Sequence, residues 1–97
     1  MARQITNEAC NAFMAARPFC KSNMSVMVDG DMVMMAYHGN VIARRAIGSN
    51  TIEVTNCGWA TNTTKERLNG LPGVFVVQRN FTWYLNGKEW DGSWSMV

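Results

Sequence analysis

The chain has 97 residues, a formal net charge of +2, an apolar share of 47% and a charged share of only 16%. A chain of this length and composition is foldable rather than disordered, and we expect a single domain over residues 1–97. The small excess of positive charge does not by itself predict nucleic-acid binding.

The first predicted element is a helix over about residues 5–17. Its apolar residues recur at helical spacing on one stripe, which contains Ile5, Ala9, Phe13 and Ala16. Thr6 or Asn7 is placed to cap the start of this helix, and Pro18 is predicted to stop it.

Four short strands follow the helix, and they are predicted at Met24–Val28, Met32–Tyr37, Val41–Ala46 and Thr51–Thr55. Asp29-Gly30, between the first two strands, is a strong hairpin signal. In the fourth strand Ile52 and Val54 alternate with Glu53, which indicates one buried side and one side in water. Short strands joined by tight turns predict an antiparallel meander.

A second, shorter helix is predicted from Thr63 to about Asn69. Thr63 and Glu66 have the spacing of a capping box, in which each side chain accepts from the other residue's backbone N–H. Helical spacing divides the remaining positions into an inner face of Thr64, Leu68 and Leu71, an outer face of Lys65, Glu66 and Asn69, and a flank at Arg67. Gly70 and Pro72 are predicted to end the helix.

The C-terminal part is predicted to form strands at Val74–Arg79 and Phe81–Leu85. Asn86-Gly87 is a further two-residue turn signal, so Lys88–Trp90 is predicted to fold back as a third short strand. Strands that are segregated from helices predict an α+β fold. The order is an N-terminal helix, a four-stranded antiparallel meander, a short helix and a C-terminal β-hairpin.

The residues that carry chemistry do not form a catalytic pattern. The single histidine, His38, lies in a predicted turn, and the three cysteines lack the spacing of metal ligands or of a disulfide framework: Cys10, Cys20 and Cys57. No Cys–His pair, carboxylate pair or glycine-rich phosphate loop is indicated. We therefore expect no metal, no cofactor and no enzymatic activity, and we expect the cysteines only to pack.

The hydropathy pattern indicates in which cellular compartment the protein is expected. The N-terminal residues lack the continuous apolar region of a signal peptide, and no apolar run approaches the roughly 18 residues of a membrane span. We expect the protein to stay in a reducing cytosol and not to enter a membrane.

The stretch from Trp59 to Arg67 is the first candidate binding site. The predicted helix start offers free N–H groups and the hydroxyls of Thr63 and Thr64. With the cations of Lys65 and Arg67 nearby, it can hold a phosphate or a carboxylate. The alternative interpretation is an ordinary surface helix whose capping groups satisfy one another.

The aromatic hairpin near the C-terminus is the second candidate. Its residues alternate in two sets, namely Phe81, Trp83 and Leu85 against Thr82, Tyr84 and Asn86. If the first set is core, Tyr84 faces outward near Arg79 or Lys88, and exposed Tyr and Arg are frequent anchors of binding surfaces. The alternative is a core with one amphipathic tyrosine. The methionine-rich hairpin Met27–Met35 is the third candidate binding surface. The alternative interpretation is that its methionines fill the core.

Three segments carry a resemblance to known proteins: Cys57-Gly58-Trp59, residues 63–69 and Trp83-Tyr84-Leu85-Asn86-Gly87. The sequence resembles short, mostly uncharacterised proteins of tailed bacteriophages with a GW…TTKxRLN…WYLNG pattern, over about residues 40–92. The resemblance implies a phage origin, expression in the cytoplasm of a host bacterium, and no established catalytic residues. Small phage proteins of this size often inhibit a host enzyme or neutralise a defence system.

The expected function is that of a non-catalytic phage accessory protein that binds and neutralises a host factor. Two mechanisms are open: a block on a protein surface, or sequestration of a small anionic or nucleotide ligand, with a homo-oligomer then sharing the pocket. The alternatives are a minor structural protein of the virion and a small nucleic-acid-binding module. For the latter, the cations on one face would be Arg44, Arg45, Lys65, Arg67, Arg79 and Lys88.

Overall fold

The computed structural model describes residues 3–58 and 61–97. Within these ranges the elements are α1 (Gln4–Met14), β1 (Phe19–Lys21), β2 (Met24–Asp29), β3 (Met32–Tyr37), β4 (Asn40–Ala46), β5 (Glu53–Val54), α2 (Asn62–Asn69), β6 (Val76–Arg79), β7 (Thr82–Leu85), β8 (Lys88–Glu89) and β9 (Ser95–Met96). The predicted α+β fold is confirmed. Neither α1 nor α2 is long and apolar enough to cross a bilayer.

The strands form two antiparallel sheets. The larger has six strands in the order β1-β2-β3-β4-β5-β9, and the smaller has three in the order β6-β7-β8. The predicted meander is the run from β2 to β5, in which each strand pairs with the next. The edge strands β1 and β9 were not predicted, because each is too short to show a period of two. β9 joins the sheet through its pairing with β5, where Glu53 lies opposite Met96.

One hydrophobic core connects α1, α2 and both sheets. Phe13 of α1, Met35 of β3 and Leu68 of α2 are fully buried in it. The smaller sheet contributes Trp83 and Leu85, which are also buried. Since both sheets cover this core with one face, each has a second face directed outward.

The C-terminus of α1 differs from the prediction, since the helix ends at Met14 and not at residue 17. The Arg17 N–H donates to the Ala12 carbonyl, and Ala16 takes a left-handed φ of 54°. This arrangement is a Schellman motif, which closes the helix before Pro18. The Arg45 guanidinium adds hydrogen bonds to the Phe13 carbonyl at 3.0 Å and to the Met14 carbonyl at 2.7 Å.

The predicted capping box of α2 is wrong. The N-cap is Thr61, whose hydroxyl accepts from the Thr64 N–H at 3.2 Å. Glu66 does not turn back toward Thr63. Its carboxylate reaches across to α1 and accepts from the Thr6 hydroxyl at 2.7 Å, so a tertiary contact takes the place of the local one.

Replacement of each threonine tests whether Thr61 or Thr63 caps α2. We expect Thr61→Ala to lower the free energy of unfolding by about 0.5–2 kcal/mol, because an orphan N–H of the helix loses its acceptor. The matched variant Thr63→Ala is expected to change it by less than about 0.5 kcal/mol, as surface substitutions usually do. Thermal unfolding of the two proteins compares them directly, and a larger loss in Thr63→Ala would restore the capping box.

Candidate binding surfaces

Arg67 lies inside the protein and not on the flank of α2, where the sequence pattern placed it. Its side chain is 3% exposed, and Nη1 donates to Thr6 Oγ1 at 2.7 Å and to Glu66 Oε1 at 2.6 Å. The guanidinium carbon also lies 5.8 Å from the centre of the Tyr37 ring. Arg67 therefore links α2 to α1 and β3, and it does not reach a ligand on the surface.

Glu66 carries the counter-charge of this buried arginine. Partial burial alone would raise the pKa of its carboxyl. The hydrogen bonds from the Thr6 hydroxyl, the Arg3 N–H and Arg67, together with the charge of Arg67, outweigh that effect and hold the pKa below its usual value. Glu66 is thus a fixed negative charge beside the start of α1.

The groove between α2 and β6 contains what remains of the first candidate site. Its volume is about 560 Å³, and it is lined by Asn62, Lys65, Glu66, Asn69, Val76, Val77 and Gln78. Lys65 Nζ donates to Gln78 Oε1 at 2.9 Å and lies 5.5 Å from the Trp83 ring.

The other residues of the first candidate site do not complete an anion site around Lys65. Thr63 is half-buried, Thr64 is fully buried, and Trp59 lies outside the described residues. The groove therefore offers one cation, Lys65, which is already hydrogen-bonded to Gln78, and it also contains the acidic residue Glu66. The negative charge of Glu66 disfavours the binding of a phosphate.

The outward face of the smaller sheet brings together the second set of candidates. Val76 and Gln78 of β6 lie opposite Leu85 and Trp83 of β7, which defines the inner face. By the alternation of side chains, the outer face carries Phe75, Val77, Arg79, Thr82 and Tyr84, and Glu89 of β8 lies opposite Tyr84 on the same side. We call the first five residues the aromatic face.

Exposure within the aromatic face is graded from its centre to its ends. Val77 and Tyr84 are direct cross-strand neighbours and are half-buried, while Phe75 and Arg79 are exposed. The predicted outward direction of Tyr84, near Arg79, agrees with this geometry. Phe75, which is 62% exposed, was missed, although a period of two that continues back from Arg79 and Val77 would have found it.

Phe81 does not belong to the core set with Trp83 and Leu85. It lies in the two-residue turn Asn80-Phe81 before β7 and is 96% exposed. The period-two pattern failed here because the turn interrupts it, and the strand begins one residue later than predicted.

The six cations proposed for a nucleic-acid surface do not share one face. Arg44 and Arg45 are neighbours on β4 and point to opposite sides of the sheet. Arg45 is 8% exposed and is bound to the end of α1, while Arg44 pairs with Glu53 at 3.2 Å and stacks on Trp94 at 3.9 Å. Two of the six, Arg45 and Arg67, are therefore unavailable to a phosphate backbone.

The cysteines occupy different environments. Cys10 is buried against α2, and its burial is the main reason that the pKa of its thiol rises to about 12. Cys20 and Cys57 are exposed, so the expectation that all three pack inside holds for Cys10 only. Across residues 3–58 and 61–97, no group of three His, Cys, Asp or Glu side chains is arranged to hold a metal ion.

Comparison with known protein families identifies a match over almost the whole chain. The sequence profile of the family described as Kyanoviridae Gp96 protein matches residues 2–96. No curated protein and no solved structure matches the chain. Because the match spans almost the whole sequence and the family is a phage family, this chain is a phage protein that belongs to the Kyanoviridae Gp96 protein family.

Proposed function

We propose that this phage protein binds and neutralises a factor of its host by covering a protein surface, without catalysing a reaction. The observation that carries the proposal is the aromatic face, where Phe75, Val77 and Tyr84 present apolar area beside the cation of Arg79. Tyrosine and arginine are enriched among residues that dominate the energy of protein interfaces.

The choice of a protein partner over a small anion follows from the contrast between the two candidate surfaces. In the groove beside α2, Lys65 is already hydrogen-bonded and Glu66 repels an anion. The aromatic face combines an apolar centre with an exposed arginine at its edge, as interfaces with a hydrophobic centre and a polar rim do. It lies on a sheet whose other side is packed into the core, so binding requires little ordering of the backbone.

The test uses a phage that lacks this gene and a host that supplies the protein from an inducible plasmid. We expect the wild-type protein and Lys65→Glu to restore the progeny yield, and Tyr84→Ala to fail. Truncation of a central interface tyrosine costs about 2 kcal/mol or more, which weakens binding about thirtyfold. Circular dichroism and melting temperature confirm that both variants fold.

Two results would count against the proposal. A loss of function in Lys65→Glu with full function in Tyr84→Ala would indicate capture of an anion in the groove. Full function in both variants would exclude the aromatic face and direct attention to the methionine-rich hairpin, in which Met27 is 42% exposed.

A further inference from the structure

The turn that carries Phe81 differs from two turns of the same kind in this protein. Among the described residues, three two-residue turns that join paired strands have both residues at positive φ, and they are His38-Gly39, Asn86-Gly87 and Asn80-Phe81. Such turns match the twist of a hairpin and favour glycine at the second position, since a Cβ is poorly accommodated there. Phe81 occupies that position with a φ of 68°.

Nothing within the described structure compensates for this choice of residue. The Phe81 ring is 96% exposed, so it adds no packing to the core. A bulky side chain at positive φ is an outlier, and such outliers occur preferentially at sites that contact a ligand. Phe81 thus lowers stability in two ways: its backbone conformation is unfavourable, and its apolar side chain is exposed to water.

The strands that follow Phe81 are held by two buried tryptophans. Trp83 is 6% exposed and Trp90 is 7% exposed, and their ring centres lie 6.1 Å apart. Trp90 Nε1 donates to the Ser93 carbonyl at 2.9 Å, which fixes the segment after β8. The hairpin that carries Phe81 is therefore ordered before a partner binds, which reduces the entropy lost on binding.

A cleft of about 620 Å³ is lined by Phe81 together with the acidic residues Glu89 and Asp91. Both residues are exposed, and neither takes part in an ion pair among the described residues. The Ser93 hydroxyl and N–H donate to Asp91 and hold the pKa of its carboxyl below the usual value. Arg79, two residues before Phe81, does not line this cleft.

These charges select among possible partners. Two carboxylates beside the exposed ring repel the phosphates of nucleic acids and of anionic lipids, and they attract Arg and Lys. An exposed aromatic side chain on an ordered turn suits a pocket that closes around it, as interface anchors do.

We propose that Phe81 inserts into an apolar pocket of a partner protein whose rim carries Arg or Lys side chains that meet Glu89 and Asp91. This inference rests on the proposed function and extends it, because it names the anchor and the chemistry of the surface that receives it.

A photo-crosslinking amino acid at position 81 tests the geometry of the complex. We expect p-benzoylphenylalanine at this position, in the full chain expressed in the host during infection, to form an adduct with one protein. The same group at Ile47, which is 47% exposed on a turn of the larger sheet, serves as the control. The labelled peptide should map to an apolar pocket flanked by Arg or Lys. A pocket without basic residues, an adduct with lipid or nucleic acid, or labelling no stronger than at position 47 would overturn the inference.

The second experiment measures the affinity of this protein for the purified partner that crosslinking identifies. We expect Phe81→Gly to raise the melting temperature by a few degrees, since glycine fits the turn, and to weaken binding about thirtyfold or more. The double variant Glu89→Gln/Asp91→Asn should weaken binding about tenfold at low salt, mainly through a slower association rate.

The inference and the proposed function fail in different ways. If Tyr84→Ala abolishes function while Phe81→Gly binds as tightly as wild type, the aromatic face is the interface and Phe81 is not its anchor. If neither variant changes function, both proposals are wrong.

Discussion

An Arg67→Ala variant is expected to lose about 3 kcal/mol of its free energy of unfolding, because removal of one partner of a buried ion pair leaves the other uncompensated. We place the loss at the lower end of the usual range, since the side chain of Glu66 retains 25% exposure and can regain some hydration. For a chain of this size the melting temperature should fall by about 15 °C. Chemical denaturation and calorimetry measure both quantities.

Lys65→Ala is the matched control, two positions earlier on α2. Lys65 makes one exposed hydrogen bond, to Gln78, so its loss should cost less than about 1 kcal/mol. Comparable losses in the two variants would mean that Arg67 does not hold α1 and α2 together.

The same ion pair predicts how stability depends on pH. The carboxyl pKa of Glu66 is lower in the folded protein than in the unfolded chain, so its stabilising effect is complete above its ordinary pKa. That effect should disappear as the pH falls through the folded-state pKa. Glu66→Gln should show a weaker loss of stability over this acidic range, and an unchanged pH profile would contradict the assigned role of the carboxylate.

Arg45→Ala is expected to cost about 2 kcal/mol, because the carbonyls of Phe13 and Met14 lose a charged donor at the negative end of α1. The guanidinium carbon also lies 5.6 Å from the centre of the Phe13 ring, so some packing is lost with it. The change should appear as a lower midpoint of urea denaturation. Hydrogen exchange of the last turn of α1 should accelerate in the same variant.

Arg44→Ala supplies a control from the next position on β4. Its ion pair with Glu53 is more than one-third exposed on both sides, so its removal should cost less than about 1 kcal/mol. If Arg44→Ala proved as harmful as Arg45→Ala, a general loss of strand propensity would explain both effects better than the helix cap.

Local patterns in the sequence determined much of this fold. The alternation of Ile52 and Val54 with Glu53, and the turn signals at Asp29-Gly30 and Asn86-Gly87, depend on residues within a few positions of one another. The meander, the α+β order and the outward direction of Tyr84 were therefore predictable, since strand period and turn chemistry are local properties.

Only the tertiary structure decided where the charged and aromatic side chains of the candidate sites lie. Arg67 has the spacing of a flank residue, and its burial depends on Thr6 and Glu66, the first of which is 61 positions away. β9 exists because β5 offers a free edge, at which Glu53 lies opposite Met96. Such contacts join residues that are distant along the chain, so no local period records them, and burial of an arginine is stable only once its distant partners are in place.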